Sequence, residues 1–361
     1  MKKIALAVMA AVFALAGCSK KNVQNAKITK DNLKVGFVYI GSIHDEGYTT
    51  AQDKGRLALE AQGIKTMYVE NVPENADCEK VIRDLIDQGC NVIYTTSFGF
   101  MDWTIKVAAE FPNVKFGHCS GYKRADNVST YFGRMYEARY LAGITAGLKT
   151  KSNKIGYVAA FPIPECIRGI NGFARGVQSV NPAASVEVIW TNTWYDPTVE
   201  KQAALELLNK GCDVIEQHQD TTAPQIAAEE KGAFCIGYNV ATPNAAPKAY
   251  LTAPVFNWAT FITDDVQKVL DGTWTSRAYW EGLSSGMVDL APLSALCAEG
   301  TQEKIDAARK SIEDGSLKIF EGPIFDQSGA EKVPAGTVMT DDEIWNMGWF
   351  VKGVNGTIPS N

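Results

Sequence analysis

Aromatic and polar side chains occur together in the loops that follow predicted strands of this chain. The aromatic members are Tyr48, Phe98, Phe100, Tyr122, Phe161, Trp194, Tyr195 and Tyr238. The polar members are Asp45, Ser97, Asp220 and Asn239. A flat ring stacked on an aromatic side chain gains about 1 to 3 kcal/mol, whereas a carboxylate accepts hydrogen bonds and an amide both accepts and donates them. These residues predict non-covalent binding of a flat, polar molecule; the alternative is that each ring covers the edge of a core.

Catalysis in the same loops is an alternative that the motifs do not favour. His44 and His218 lie in these loops, where Glu165 or Asp220 could act as a base. The sequence has no nucleophile elbow, HExxH, P-loop or GxGxxG after a strand. It also has no CxxC pair and no Cys–His cluster at metal-ligand spacing. We therefore predict that the protein is not an enzyme and holds neither a cofactor nor a metal.

An internal repeat predicts the elements that position these loops. The stretch VIRDLIDQGCNVIYTTS (81–97) recurs in similar form as AALELLNKGCDVIEQHQ (203–219). In the same way, KVGFVYIGS (34–42) corresponds to KIGYVAAFP (154–162). Each helix ends at a glycine, Gly89 or Gly211, which is a common stop residue. Short apolar strands that alternate with helices predict a parallel, doubly wound α/β sheet. The sequence therefore predicts two similar lobes.

The lobes are predicted to share the chain unevenly. Lobe 1 takes residues 33–153 with a returning segment near 251–275, and lobe 2 takes residues 154–250 with C-terminal elements near 276–361. Several crossings between lobes indicate a hinge rather than a loose linker. Since ligands bind beyond the carboxyl ends of parallel strands, the site is expected in the cleft between the two lobes.

The N-terminus has the pattern of an export signal. Two lysines precede the apolar residues 4–17, which are too few to cross a bilayer, and the stretch ends in LAGC. LAGC resembles the lipobox of bacterial lipoproteins, so we expect cleavage after residue 17 and a lipid on Cys18; an ordinary secretory signal is the alternative. Residues 18–32 are polar and predicted to be a flexible tether. The expected location is the outer, periplasmic or extracellular, face of a cell membrane.

Charge and cysteine content exclude further classes. The formal net charge of −6 becomes −8 when the two lysines of residues 1–17 are removed, and an acidic chain without a basic block argues against nucleic acid as a partner. Seven cysteines follow Cys18. One or two disulfides are possible, but Cys90 and Cys212 begin apolar strands, where cysteine usually acts as a small hydrophobic residue.

Five motifs together resemble the basic membrane protein family of lipid-anchored solute-binding proteins. They are HDEGYTTAQDKGR, TTSFGFMD, YEARYLAGITAG, GYVAAFPIPECIRGINGF and TNTWYDPTVEKQAA, and the resemblance runs from about Val35 to Val354. It implies a type I periplasmic-binding-protein fold, an ABC importer with permease and ATPase as partner, and a purine held between aromatic rings of the two lobes. In DEGYT, Asp45, Tyr48 and Thr49 match the acid, ring and amide of the family's first binding loop.

Departures from the family pattern indicate which purine is bound. In GYNVAT, Asn239 and Ala241 stand where nucleoside binders have carboxylates, and Phe256 stands at the position of a lysine. Without those charged partners for a ribose, the resemblance implies a free base such as adenine. A nucleoside receptor and a ligand-sensing receptor for signalling remain alternatives.

The resemblance also suggests a role for each candidate residue. Tyr48 and Trp194 would stack on the two faces of the base, while Asp45, Asp220 and Asn239 would bond to ring nitrogens or an exocyclic amine. Ser97 and the adjacent Phe98 would complete the site from lobe 1. Asp45 could instead cap the next helix, and Asp220 could be a solvated loop acid. The protein is expected to be a monomer.

Overall fold

The computed structural model describes residues 28–359 and contains two parallel sheets. The first sheet has the order β11-β5-β4-β3-β1-β2, with every neighbouring pair parallel. Its strands are β1 (Lys34–Val38), β2 (Lys65–Val69), β3 (Val92–Thr95), β4 (Lys115–Cys119), β5 (Val128–Gly133) and β11 (Ala278–Glu281). Four of them are buried throughout or nearly so, so both faces of these strands are covered and burial does not alternate along them.

The second sheet repeats the central part of the first. Its order is β15-β7-β6-β8-β9, again with parallel pairs. Its strands are β6 (Lys154–Ala159), β7 (Ser185–Trp190), β8 (Val214–Gln217), β9 (Phe234–Cys235) and β15 (Val354–Asn355). The order β2-β1-β3-β4 of the first sheet therefore matches β7-β6-β8-β9 of the second.

Helices cover both sheets and occupy most of the connections between strands. They are α1 (Tyr48–Ala61), α2 (Ala76–Asp87), α3 (Met101–Glu110), α4 (Met135–Lys149), α5 (Pro164–Val180), α6 (Pro197–Asn209), α7 (Ala223–Glu230), α8 (Trp258–Asp271), α9 (Thr301–Glu313) and α10 (Asp341–Trp345). Short 3-10 turns cover Phe98–Phe100 and Leu283–Ser285.

The repeat predicted from the sequence is present in the fold. Strand β8 begins and ends 122 residues after β3, and the glycines that follow α2 and α6 both adopt a left-handed conformation, with φ of 93° at Gly89 and 91° at Gly211. Cys90 and Cys212, which follow these glycines, are buried. The shared Gly-Cys pair therefore belongs to the scaffold of each lobe.

Two predicted lobe boundaries are wrong. Helix α4 lies before residue 153 but packs on α5 of the second lobe, so closely that a Cβ on Gly143 would lie 2.1 Å from the Phe173 carbonyl oxygen. Strand β11 lies after residue 276 but pairs with β5 in the first sheet, Ala278 opposite Thr130. The first lobe therefore contains residues 28–133 and 258–281, and the second lobe begins at α4.

Three segments connect the lobes, at residues 134, 254–257 and 282–290. Two of them include the antiparallel strands β10 (Pro254–Phe256) and β12 (Val288–Leu290), which pair with each other. The crossings are therefore coupled by backbone hydrogen bonds, in agreement with the predicted hinge.

Residues 319–359, which we call the C-terminal segment, extend along the second lobe. The segment contains β15, α10 and the antiparallel pair β13 (Ile324–Phe325) and β14 (Glu331–Val333). Helix α10 begins with a capping box in which Thr340 and Glu343 satisfy each other's backbone N–H groups.

The remaining predictions concern the N-terminal signal, the cysteines, membrane spans and metal sites. The signal, the lipidated Cys18 and most of the tether lie outside the described residues. Within residues 28–359 all seven cysteines are unpaired, so the possible disulfides do not form there. In the same range no helix has the length and hydrophobicity of a membrane span, and no group of His, Cys, Asp and Glu side chains could hold a metal ion.

Candidate functional site

A cavity of about 480 Å³ lies between the lobes, within the range typical of small-molecule sites. Its walls come from the loops after eight parallel strands, four in each sheet, and these loops are represented by Ile40, Glu74, Ser97, Ser120, Phe161, Trp194, His218 and Asn239. These loops meet because the carboxyl ends of both sheets face the same space, as predicted from the repeat. Apolar surface dominates the walls, and polar side chains from both lobes contribute the remainder.

Tyr48 is held rigidly at the first-lobe wall. It begins α1, its hydroxyl donates to the Thr96 carbonyl and accepts from Gln52 Nε2 at 3.1 Å, and its ring meets the Trp258 ring edge-on at 5.9 Å. Burial raises the pKa of the phenol well above its usual value, so the hydroxyl stays protonated. With the hydroxyl already engaged, the ring is the part of Tyr48 that a ligand can contact.

Trp194 lines the second-lobe wall. Its ring lies 4.9 Å from the Phe161 ring and 6.1 Å from the His218 ring. The loop is fixed by Asp196, whose side chain caps α6 by accepting from Thr198 N, and by the left-handed backbone of Asn192, with φ of 54°. The start of α6 at Asp196 and Pro197 thus positions the Trp194 indole at the cavity.

Asp220 and Asn239 form a polar pair in the same cavity. Asn239 Nδ2 donates to Asp220 Oδ1 at 2.9 Å, and Asn239 Oδ1 is buried without a partner. Burial raises the pKa of Asp220 well above its usual value, and the negative charges of Asp45 and Glu200 raise it further. This favours the protonated acid, which can donate as well as accept. The pair therefore has hydrogen-bond donors and acceptors that a ligand could use. Asp220 is not the solvated loop acid that its sequence position also allowed.

Asp45, which the sequence analysis proposed as a ligand residue, lies outside the cavity with its carboxylate bonded at the start of α1. Its carboxylate accepts from the backbone N–H groups of Gly47, Thr49 and Thr50 at 2.8, 2.8 and 2.9 Å, and from the Thr50 hydroxyl at 2.9 Å. The side chain is buried and does not line the cavity. Asp45 thus caps the start of α1, the alternative that its sequence position also allowed.

Ser97 and Phe98 both reach the cavity, at its open edge. Ser97 Oγ donates to Glu74 Oε1 at 2.5 Å, and Gly99 N donates to the same oxygen at 2.8 Å. Phe98 is 52% exposed, 6.4 Å from the Tyr122 ring. Because its hydroxyl is already bonded to Glu74, Ser97 positions that carboxylate. Glu74 also lines the cavity, and the sequence analysis did not predict it.

Four other residues singled out in the sequence lie apart from the cavity, whereas Tyr122, Phe161 and Tyr238 line it. Phe100 is buried in the core of the first lobe and Tyr195 is exposed. Ala241 does not line the cavity, and Phe256 stacks on Trp258 with ring centroids 4.3 Å apart. Six of the seven predicted binding residues therefore share one cavity: Tyr48, Ser97, Phe98, Trp194, Asp220 and Asn239.

Glu165 and His218, considered above only for catalysis, face each other in this cavity. His218 Nε2 lies 3.5 Å from Glu165 Oε1 and 3.4 Å from the Tyr238 hydroxyl, and its Nδ1 has no partner. Burial, together with the positive charge of the Arg139 guanidinium, lowers the pKa of His218 to about 4. The imidazole is therefore neutral near pH 7 and can either donate or accept at Nδ1.

Arg139 and Glu216 lie beneath this wall. They form an ion pair at 2.5 Å with both side chains fully buried, and the Arg139 guanidinium carbon lies 4.1 Å from the centre of the Tyr238 ring. Burial raises the pKa of Glu216 to about 8, against the lowering effect of Arg139. The pair supports Tyr238 from below; neither partner lines the cavity.

The two lobes touch beside the cavity. Tyr48 N, in the first lobe, donates to Asp220 Oδ1 at 3.2 Å, and Thr222 Oγ1 donates to Glu46 Oε2 at 3.2 Å. A Cβ on Gly47 would lie 2.5 Å from the Asp220 carbonyl oxygen. The two lobes are thus in contact, and the structure is a closed form. The backbones of residues 47 and 220 can approach this closely because Gly47 has no side chain.

Comparison with known proteins decides the family. Residues 32–318 match the family model Bmp, described as ABC transporter substrate-binding protein, PnrA-like. The chain belongs to the Bmp family. Members of the Bmp family are extracytoplasmic binding proteins for small molecules, work with a permease and an ATPase, and are not enzymes.

Two curated relatives of this Bmp chain are similar over nearly its full length. A purine-binding protein of Brucella abortus is 41% identical over 333 residues, covering 91% of this chain and 95% of the relative. A putative ABC transporter glucose-binding protein of Haloferax volcanii is 35% identical over 332 residues, covering 91% and 82%.

Solved structures confirm the fold class predicted for the Bmp chain. ABC solute-binding proteins of Conexibacter woesei and Aeropyrum pernix superpose with TM-scores of 0.69 and 0.70, at 22% and 20% identity. Each covers 79% of this chain, and the chain covers 97% and 92% of theirs. At this identity the likeness concerns the type I periplasmic-binding fold alone.

Proposed function

We propose that this Bmp protein captures a free purine base between its lobes and delivers it to an ABC permease. The observation that carries the proposal is the composition of one cavity, where Tyr48 and Trp194 from opposite lobes accompany the polar pair Asp220–Asn239. The similarity to a purine-binding relative supports the same ligand class. Stacking would provide affinity and the polar pair would read the edge of the base.

Polar groups favour a base over a nucleoside. The total volume of about 480 Å³ does not by itself separate the two ligands. At the positions where the family resemblance places carboxylate and lysine partners for a ribose, Ala241 does not line the cavity and Phe256 is stacked on Trp258. The unpartnered Asn239 Oδ1 and His218 Nδ1 suit the N–H groups and ring nitrogens of a purine.

Titration calorimetry tests the ligand class directly. The protein is titrated with adenine, hypoxanthine, guanine, adenosine, inosine and D-glucose, the last because of the Haloferax relative. We expect at least one base to bind about tenfold more tightly than its nucleoside, a difference of about 1.4 kcal/mol, and glucose not to bind. Equal or tighter binding of nucleosides would overturn the preference for a base, and binding of glucose alone would overturn the purine proposal.

Delivery would depend on closure. A ligand that touches both lobes favours the closed form only by the contacts it makes there and not in an open form. In the closed form Tyr48 N already bonds to Asp220, so the ligand and the lobe contact act on the same equilibrium. We infer that the permease recognises this closed arrangement.

The lipid anchor gives a separate prediction for the N-terminus. Cys18→Ala should move the exported protein from the membrane fraction to the soluble fraction, because the proposed lipid site is lost, while binding of the base stays unchanged. Cell fractionation with mass spectrometry of the N-terminal peptide measures this. Cys297→Ala, a change of a half-buried thiol within the fold, is the matched control and should leave the protein in the membrane fraction. A membrane-bound Cys18→Ala protein would exclude Cys18 as the anchor.

A further inference from the structure

The C-terminal segment supplies part of the cavity wall although the family model ends at residue 318. Trp345, the last residue of α10, and Asn346 both line the cavity. Neither carries a sequence signal of binding, because both follow an ordinary acidic helix start. The wall they form is therefore an addition to the part of the chain that defines the family.

Contacts on the second lobe hold the segment in place. Strand β15 pairs with β7 at Val354 and Val186, and the Asn171 side chain donates to the Trp349 carbonyl at 2.7 Å and accepts from Val351 N at 3.0 Å. These bonds fix the backbone on the C-terminal side of Trp345.

Contacts with a connecting residue and with the first lobe fix Trp345 from the other side. Arg134, in the first connection between the lobes, donates from Nη1 and Nη2 to the Asp341 carboxylate at 2.7 and 2.6 Å, one turn before Trp345. The Trp345 ring meets the Trp280 ring edge-on at 5.0 Å and lies near Phe132. Because bidentate guanidinium–carboxylate pairs are directional, the indole is held at the junction of the lobes.

Arg168 completes the support of this wall. Its guanidinium carbon lies 4.8 Å from the centre of the Trp345 ring, and its Nη1 donates to the Trp345 carbonyl at 3.3 Å. Neither Arg168 nor Trp345 bonds to the Asp220–Asn239 pair. Trp345 therefore lines the cavity without bonding to the polar pair that would read a base.

A second pocket of about 380 Å³ lies beyond this wall. It is lined by residues of the C-terminal segment, including Lys332, Thr337, Met339 and Trp349, and Asn346 is common to both spaces. The turn at Trp345–Asn346 therefore separates the cavity from a neighbouring space that a longer ligand could otherwise enter.

We infer that Trp345 and Asn346 determine ligand length, admitting a purine base and excluding one that carries a sugar. This inference rests on the proposed function and gives it a steric basis: a substituent that extends from the base toward Trp345 would meet the indole. The wall is rigid because it is bonded to both lobes, so it cannot yield to a larger ligand without breaking the Arg134–Asp341 pair or the Trp345–Trp280 contact.

Calorimetry on wall variants tests the inference. For Trp345→Ala we expect the affinity for adenosine relative to adenine to rise about tenfold, as for removal of a steric block in an apolar pocket, with adenine affinity changed less than about threefold. Asn346→Ala, at an exposed residue, should raise the same ratio by a smaller factor. Trp349→Ala is the matched control, because Trp349 belongs to the same segment and lines only the second pocket.

The outcomes separate the inference from the proposed function. Wild-type binding of adenine with an unchanged ratio in folded Trp345→Ala and Asn346→Ala overturns the inference alone. An equal loss for both ligands also overturns it, since that marks Trp345 as structural only. Wild-type protein that binds no purine overturns both. If Trp345→Ala fails to fold by thermal denaturation, Asn346→Ala and Trp345→Phe decide by the same ratio.

Discussion

Trp194→Ala is expected to weaken binding of the base by about tenfold or more. The substitution removes one stacking face, worth about 1 to 3 kcal/mol for a base on an aromatic ring, and also removes the packing of the indole on Phe161 at 4.9 Å. Calorimetry with adenine, or with whichever base binds wild-type protein most tightly, measures the change. Trp194→Phe keeps a smaller ring and should fall between the two proteins.

Trp103→Ala is the matched control for Trp194→Ala. Trp103 lies in α3, outside the cavity, with Lys106 Nζ 5.7 Å from the centre of its ring. Its loss should leave ligand affinity within about twofold, because no binding group contacts it. Unchanged affinity in Trp194→Ala would remove Trp194 from the binding site, whatever the ligand.

Gly47→Ala is expected to oppose closure while leaving each lobe folded. The new Cβ would lie 2.5 Å from the carbonyl oxygen and 2.6 Å from the Cα of Asp220, backbone atoms that cannot rotate away. Separation of the lobes would also lengthen the bond from Tyr48 N to Asp220. Since apparent affinity falls with the population of the competent form, a closure penalty of about 1.4 kcal/mol weakens binding about tenfold.

Two measurements distinguish blocked closure from damage to the site. Calorimetry gives the loss of affinity, and small-angle X-ray scattering with and without the base gives the ligand-dependent contraction, which should be smaller in Gly47→Ala than in wild-type protein. Gly348→Ala is the control, because a Cβ there has its nearest neighbour at 4.0 Å. Full affinity and full contraction in Gly47→Ala would show that the lobes do not close through this contact.

The sequence predicted the scaffold well because a repeated pattern has a physical meaning. An apolar run of strand length that follows a helix and a glycine is typical of a buried parallel strand. Strands β3 and β8 lie at the positions that the repeat predicts. The boundary error at α4 has a different cause. That helix is buried on most of its surface, so its sequence does not reveal which lobe it packs against.

Individual site residues were less predictable, for reasons that differ between them. Asp45 could bind a ligand or cap a helix, since both roles use the same short carboxylate, and only the hydrogen bonds separate the two. Trp345 has no motif, and it reaches the cavity through contacts with residues such as Trp280 and Arg134 that are remote in sequence. His218 was noticed, but its neutral state depends on burial beside Arg139.

Strand order has a consequence for the timing of folding. Each sheet is completed by an edge strand that is synthesised long after the strand it pairs with. Ala278 pairs with Thr130, 148 residues earlier in the chain, and Val354 pairs with Val186, 168 residues earlier. Closing such long loops slows folding, because their entropy must be lost before the contacts form. The first sheet is complete only once β11 at residue 281 has been made, and the second only once β15 at residue 355 has been made, so most of the chain precedes the completion of either sheet.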